Sequence, residues 1–120
     1  MKKESIMNNS EAQLEAVELS IENATNNIAR MKSLQKLTDN KEFNTIVLEG
    51  YFKDEASRLV LIKADPNMQG DVEQKSIDNQ IIAIGHVRQY FGTIMQIGTM
   101  SAKALNDDME TREEILAGDA

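Results

Sequence analysis

Ile77, Ile81, Ile84, Arg88, Phe91, Met95, Gly98, Ala102, Leu105 and Met109 follow one another in steps of four and three. That spacing puts them all on one stripe of a helix, and a strand, which alternates faces at every residue, offers no such stripe. With a single charge and a single glycine in it, the stripe reads as a seam built to meet another helix. A second seam, Leu14, Val17, Ile21, Ala24, Ile28 and Met31, repeats the pattern near the N-terminus. Two such stripes in 120 residues describe a chain organised to pack helices against helices.

The composition agrees. Phe43, Phe52, Phe91, Tyr51 and Tyr90 are the only aromatic residues, and Leu, Ile, Met and Ala supply most of the apolar volume, which suits helices better than sheets. One proline, Pro66, and six glycines are too few for the turns of an all-β chain of this length. The expected class is all-α: a long helical hairpin, an additional N-terminal coiled-coil-like helix and a short acidic C-terminal tail.

Punctuation places the elements. Residues 1–9 are polar and read as a flexible N-terminus, and Ser10 is a natural N-cap for a helix over 10–37, with Glu11 and Glu15 near its positive pole and Lys32 and Lys36 near its negative one. Thr38, Asp39 and Asn40 interrupt it, and any of the three can cap a second helix over 41–64. The run Asp65-Pro66-Asn67-Met68-Gln69-Gly70 is the clearest turn, after which Asp71 caps a third helix over 71–106. Residues 10–106 are expected to form a single helical domain. Phe43, Val47, Tyr51 and Leu59 are the expected intrachain partners of Ile84, Phe91, Met95 and Leu105. Gly85 and Gly92 lie seven apart, and because glycine costs a helix roughly 1 kcal/mol, close packing of another helix of the chain is the expected reason for them, with contact to a subunit or partner as the alternative. Asp107 and Asp108 should break the third helix ahead of an acidic, partly helical tail over 107–120.

Charge and residue types exclude several functions. A net charge of −7 with the basic residues dispersed disfavours direct binding to nucleic acid. There is no run of apolar residues long enough to span a membrane and no secretory signal in residues 1–10, so the cytoplasm is the expected compartment. The absence of cysteine removes disulfides, thiol catalysis and thiolate metal sites. His86 is the only histidine, and Ala83 stands where a Glu-x-x-His metal motif would need an acid, so neither a catalytic triad, a metal site nor a bound cofactor is expected. Glu55 and Arg58, at i and i+3, are expected to form a structural salt bridge on one helical face. No enzymatic activity is predicted.

The stretch from Leu37-Thr38-Asp39-Asn40-Lys41-Glu42-Phe43 through Ile46-Val47-Leu48-Glu49-Gly50-Tyr51-Phe52-Lys53-Asp54-Glu55-Ala56 to Arg58-Leu59-Val60 resembles small helical proteins encoded by tailed bacteriophages. The similarity continues through Ala83-Ile84-Gly85-His86-Val87-Arg88-Gln89-Tyr90-Phe91 and covers roughly residues 37–105. The resemblance implies a virion component or morphogenesis factor of the head or head-to-tail region, present in the host-cell cytoplasm during assembly, with the virion as a further destination. Its expected partners are itself, another viral structural protein such as a head, portal or tail protein, or both. The alternative is a small acidic inhibitor that occupies the nucleic-acid groove of a host enzyme. A mimic should present its acids as a continuous stripe, and in the sequence only the tail does so.

Overall fold

The computed structural model describes the backbone of residues 2–118 and the side chains of residues 9–118. The fold is all-α, with no strand among the described residues: α1 (Lys2–Thr38), α2 (Lys41–Phe43), a π-helical segment (Asn44–Glu55), α3 (Ala56–Lys63), a single 3-10 turn (Pro66–Met68) and α4 (Asp71–Leu116). Helix α1 starts well before the expected cap, so Ser10 lies inside it. The segment read as flexible falls partly on Met1, outside the described residues, and partly on Lys2–Asn9, whose backbone is helical.

Of the three candidate caps after α1, Asn40 does the work. Its side-chain oxygen accepts from the Phe43 backbone N–H at 2.9 Å, satisfying a donor that the first helical turn cannot. The Asn44 amide closes the same corner by donating to the carbonyls of Thr38 and Asn40 at 2.5 and 3.0 Å. The Asp65 carboxylate likewise accepts from Asn67 N–H at 2.9 Å, with Pro66 supplying the fixed φ of the first 3-10 residue.

Two boundaries differ from expectation. Helix α4 runs straight through Asp107 and Asp108 to Leu116, so the predicted break is absent. Asp107 gives its carbonyl to the Thr111 hydroxyl at 2.9 Å, and Asp108 is half-buried with Ser20 as its partner; neither competes with the helix. The stop comes at Gly118, whose φ of +78° is the left-handed conformation that glycine takes after a helix. Asp119 and Ala120 of the expected tail lie outside the described residues.

The second difference is the π-helix. Twelve residues, Asn44–Glu55, wind with i to i+5 spacing, roughly four and a half residues per turn. Phe43 and Phe52, nine residues apart, therefore return to the same side, and both rings meet Phe91, at 6.0 and 5.6 Å between centroids. In an α-helix nine residues make about two and a half turns and would separate them. Gly50 makes the winding possible: a Cβ there would stand 2.8 Å from the Thr45 carbonyl oxygen, five residues back.

The chain divides into two compact units, Met1–Lys32 with Ile94–Ala120, and Ser33–Thr93. In the first, α1 and the C-terminal half of α4 run antiparallel. Ser20 donates to Asp108 at 2.5 Å, Asn27 to Ser101 at 3.2 Å and Thr99 to the Met31 sulfur at 3.7 Å, so each step back along α1 is matched by a step forward along α4. In the second unit, Leu59, Ile77 and Ile84 form the core, with Tyr51, Phe52, Ala56, Ile62, Met68 and Ile81 packed around it. Leu59 is the most completely enclosed side chain, at 2% exposure.

Candidate functional site

The candidate sites considered are the helix faces themselves. The N-terminal seam lies inward in the first unit: Val17 and Ala24 are buried, and Leu14, Ile21, Ile28 and Met31 half-buried. In the second unit the α1 stripe adds Leu34, which is buried although a strict heptad skips it.

On α4 the inward residues of the second unit are Ile77 and Ile84, buried, with Ile81 and Phe91 half-buried; Arg88 is exposed and leaves the seam. In the first unit Ile94 and Met95 are half-buried and Gly98 buried. The inward track continues through Ser101, Leu105, Asp108, Arg112 and Ile115, all half-buried, whereas Ala102 and Met109 are exposed. From Phe91 to Ile94 is a step of three where the predicted heptad takes four, and the one-residue shift is kept from there on. Along this track Met31 fills the space beside Gly98 and Asn27 pairs with Ser101. The signal legible in the sequence was polarity: Asn27, Ser101 and Asp108 have partners across the seam, and a heptad count had passed over all three.

Gly85 and Gly92 behave unlike Gly98. A Cβ at either would meet nothing within 4 Å, and both are exposed, so packing within the chain, the reason expected for them, is absent.

In the second unit two pockets lie between the middle helical segments and α4. One is lined by Ile46, Val47, Gly50, Tyr51, Glu55, Val87 and Phe91; its residues on the π-helix recur in steps of four and five, the period of that helix. The other is lined by Arg58, Leu59, Ile62, Met68, Val72, Glu73 and Ile77. Glu55 and Arg58 are joined at 3.0 and 2.5 Å as the expected i, i+3 pair. Hydrogen bonds from Arg58, the largest influence, hold the Glu55 carboxyl below its ordinary value against desolvation, with the guanidinium's positive charge adding to them; the same contacts hold Arg58 above its own. Asp78 of α4 meets the Lys63 ammonium of α3 at 2.5 Å. Both ion pairs are solvent-accessible and so add little to stability.

His86 is exposed on α4. Among the described residues no three His, Asp or Glu side chains gather as metal ligands, no polar or charged side chain is buried, and no helix is long and apolar enough to cross a membrane. The chain matches no protein-family model, no curated protein and no solved structure.

Proposed function

We propose that this chain is a non-enzymatic structural or assembly protein that works by lending apolar helix faces to other helices, binding itself, a head, portal or tail protein, or both, in the tailed-bacteriophage setting that its resemblance implies. The observation that carries the reading is the balance of apolar side chains. Six hydrophobic residues are buried among those described, whereas thirteen large ones are exposed, including Ile46 at 69% and Leu61 at 73%. Isolated exposed apolar residues are ordinary, but pockets with exposed apolar side chains along their walls, as Ile46, Val87 and Val72 are, suit a surface that meets a partner. Binding rather than catalysis also suits a chain whose one histidine is exposed.

The test is quantitative mass spectrometry of density-gradient fractions from cells that make the chain. It is expected in particle or assembly-intermediate fractions. Recovery only among small soluble proteins would overturn the reading.

One observation favours the acidic-inhibitor alternative. Glu11, Glu15, Glu18 and Glu22 are exposed on α1 and, in steps of four, three and four, share one helical face. Competition with duplex DNA for a nucleic-acid-binding host enzyme, weakening with salt, would support it; no competition at low salt would remove it.

A further inference from the structure

Within the first unit, α1 covers the more polar of two adjacent columns of α4. The covered column is Ile94, Ser101, Asp108 and Ile115, in steps of seven, and Ser20 and Asn27 of α1 reach Asp108 and Ser101 in it. The next column, Met95, Ala102, Met109 and Leu116, has the same spacing and is wholly apolar. Met95 is half-buried and Ala102 exposed, while Met109 and Leu116 are 43% and 66% exposed. Residues seven apart share one stripe of a helix, so the apolar half of the heptad pattern lies open to solvent beside the seam that α1 fills.

We propose that a second copy of this chain packs its own α4 antiparallel against this column, with the two-fold axis beside Asn106. The inference rests on the assembly reading above and names the partner as the chain itself. Three features of the column argue for a copy in this orientation. A two-fold contact pairs one patch with itself, and an axis at Asn106 sets position 95 against 116 and position 102 against 109. Met95 then faces Leu116, and the small Ala102 faces Met109, so each layer combines side chains that fill the space between two helices. Charge is the second feature. Lys103 and Glu110 flank the column on one side, both exposed, and neither belongs to an ion pair among the described residues. The same rotation sets Lys103 of each copy beside Glu110 of the other, whereas a parallel copy would set lysine against lysine and glutamate against glutamate. On the opposite flank, Glu113 comes across from Thr99 of the other copy and not from another acid. The third is the axis itself: Asn106 faces its own copy, and an amide carries both the donors and the acceptor that a self-pair needs.

Sedimentation equilibrium on the purified full chain, joined to cross-linking, tests this. Wild type is expected at twice 13.4 kDa. Met109→Glu and Leu116→Glu, both at exposed positions, should each give a monomer with helical circular dichroism unchanged. Lys103→Glu and Glu110→Lys should each raise the dimer dissociation constant about tenfold at low salt by setting like charges across the contact, and the two changes in one chain should restore it. Lys103 and Glu110 stand about 10 Å apart along the helix, too far to pair within one chain, so the restoration reports the contact between copies. The chain has no cysteine, and Asn106→Cys should therefore cross-link to its copy on mild oxidation, while Met100→Cys, on the side of α4 turned away from the column, should not. A monomeric wild type, a dimer that both glutamate variants leave intact, charge changes that do not compensate, or an Asn106→Cys chain that fails to cross-link would each overturn the proposal. A monomeric chain recovered in particle fractions would overturn the dimer and leave the assembly reading standing. A dimer absent from those fractions would do the reverse.

Discussion

Met31 stands where a side chain on Gly98 would be. A Cβ built on Gly98 falls inside the van der Waals envelope of the Met31 Cβ, Cγ and sulfur, and Gly98 is buried beneath them. Alanine is the better helix former by about 1 kcal/mol, yet overfilling a packed contact costs about 1–3 kcal/mol. Gly98→Ala should therefore destabilise the chain in urea denaturation followed by circular dichroism, and Met31→Ala in the same molecule should not restore it, because alanine keeps the Met31 Cβ that stands closest to the added methyl. A Gly98→Ala variant more stable than wild type would show that Met31 moves aside at no cost.

Gly85 and Gly92 should answer in the opposite direction. With nothing within 4 Å of a Cβ at either position, only helix propensity remains, and Gly85→Ala and Gly92→Ala should each gain about 1 kcal/mol in the same assay. Gly50→Ala should lose stability despite sitting in a helix, because the Thr45 carbonyl oxygen blocks the Cβ. Equal effects at all four glycines would mean that local space does not decide them.

The class of fold and most of the inward residues were legible because a periodic stripe survives in any helix that buries one face. Leu14 to Met31, Ile77, Ile84 and Phe91 all follow from spacing alone. Spacing failed where packing changed the period. Ala102 and Met109 continue the heptad but face solvent, since the inward track has already shifted by one residue at Ile94. Likewise Phe43 and Phe52 look incompatible with one α-helical face, and only the π winding unites them on Phe91. Asp107 and Asp108 carry the composition of a break, and the Ser20 hydroxyl removes the need for one at Asp108.

The core of the second unit should be concentrated at Leu59. It is almost wholly enclosed and clusters with Ile77 and Ile84, so Leu59→Ala loses both transfer energy and packing and should cost about 2–5 kcal/mol. Leu61→Ala, two residues away but 73% exposed, should change stability by less than about 0.5 kcal/mol. Similar losses at both positions in urea melts would contradict this placement of the core.

Acid should weaken the Glu55–Arg58 contact. Arg58 holds the Glu55 carboxyl below its ordinary 4.5 in the folded chain, so unfolding raises its proton affinity. The stabilisation is fully present above 4.5 and is lost as the pH falls through the lower, folded value. Thermal melts of wild type and Glu55→Gln should differ at neutral pH, with wild type higher, and converge in strong acid. The difference should be small and should shrink with salt, because both side chains are exposed to solvent. A gap that widens on acidification would reverse the sign and exclude the ion pair as its source.

Gln74 closes the corner between α3 and α4, and its loss should be felt through backbone carbonyls. The side-chain amide donates to the carbonyls of Lys63 and Met68 at 3.0 and 2.8 Å, and its oxygen accepts from the Lys63 ammonium at 3.0 Å. A helix leaves its last carbonyls without partners. Gln69 also donates to Lys63 O, at 2.9 Å, so Gln74→Ala chiefly orphans Met68 O and the ammonium contact, at about 1–2 kcal/mol. Gln74→Glu keeps the size but turns a donor into a second acceptor facing those carbonyls. Its approach to Lys63 offsets part of that repulsion, and the variant should still fall below wild type. Urea denaturation of the two variants decides it: a Gln74→Glu chain as stable as wild type would show that the ammonium, and not the carbonyls, is what Gln74 serves.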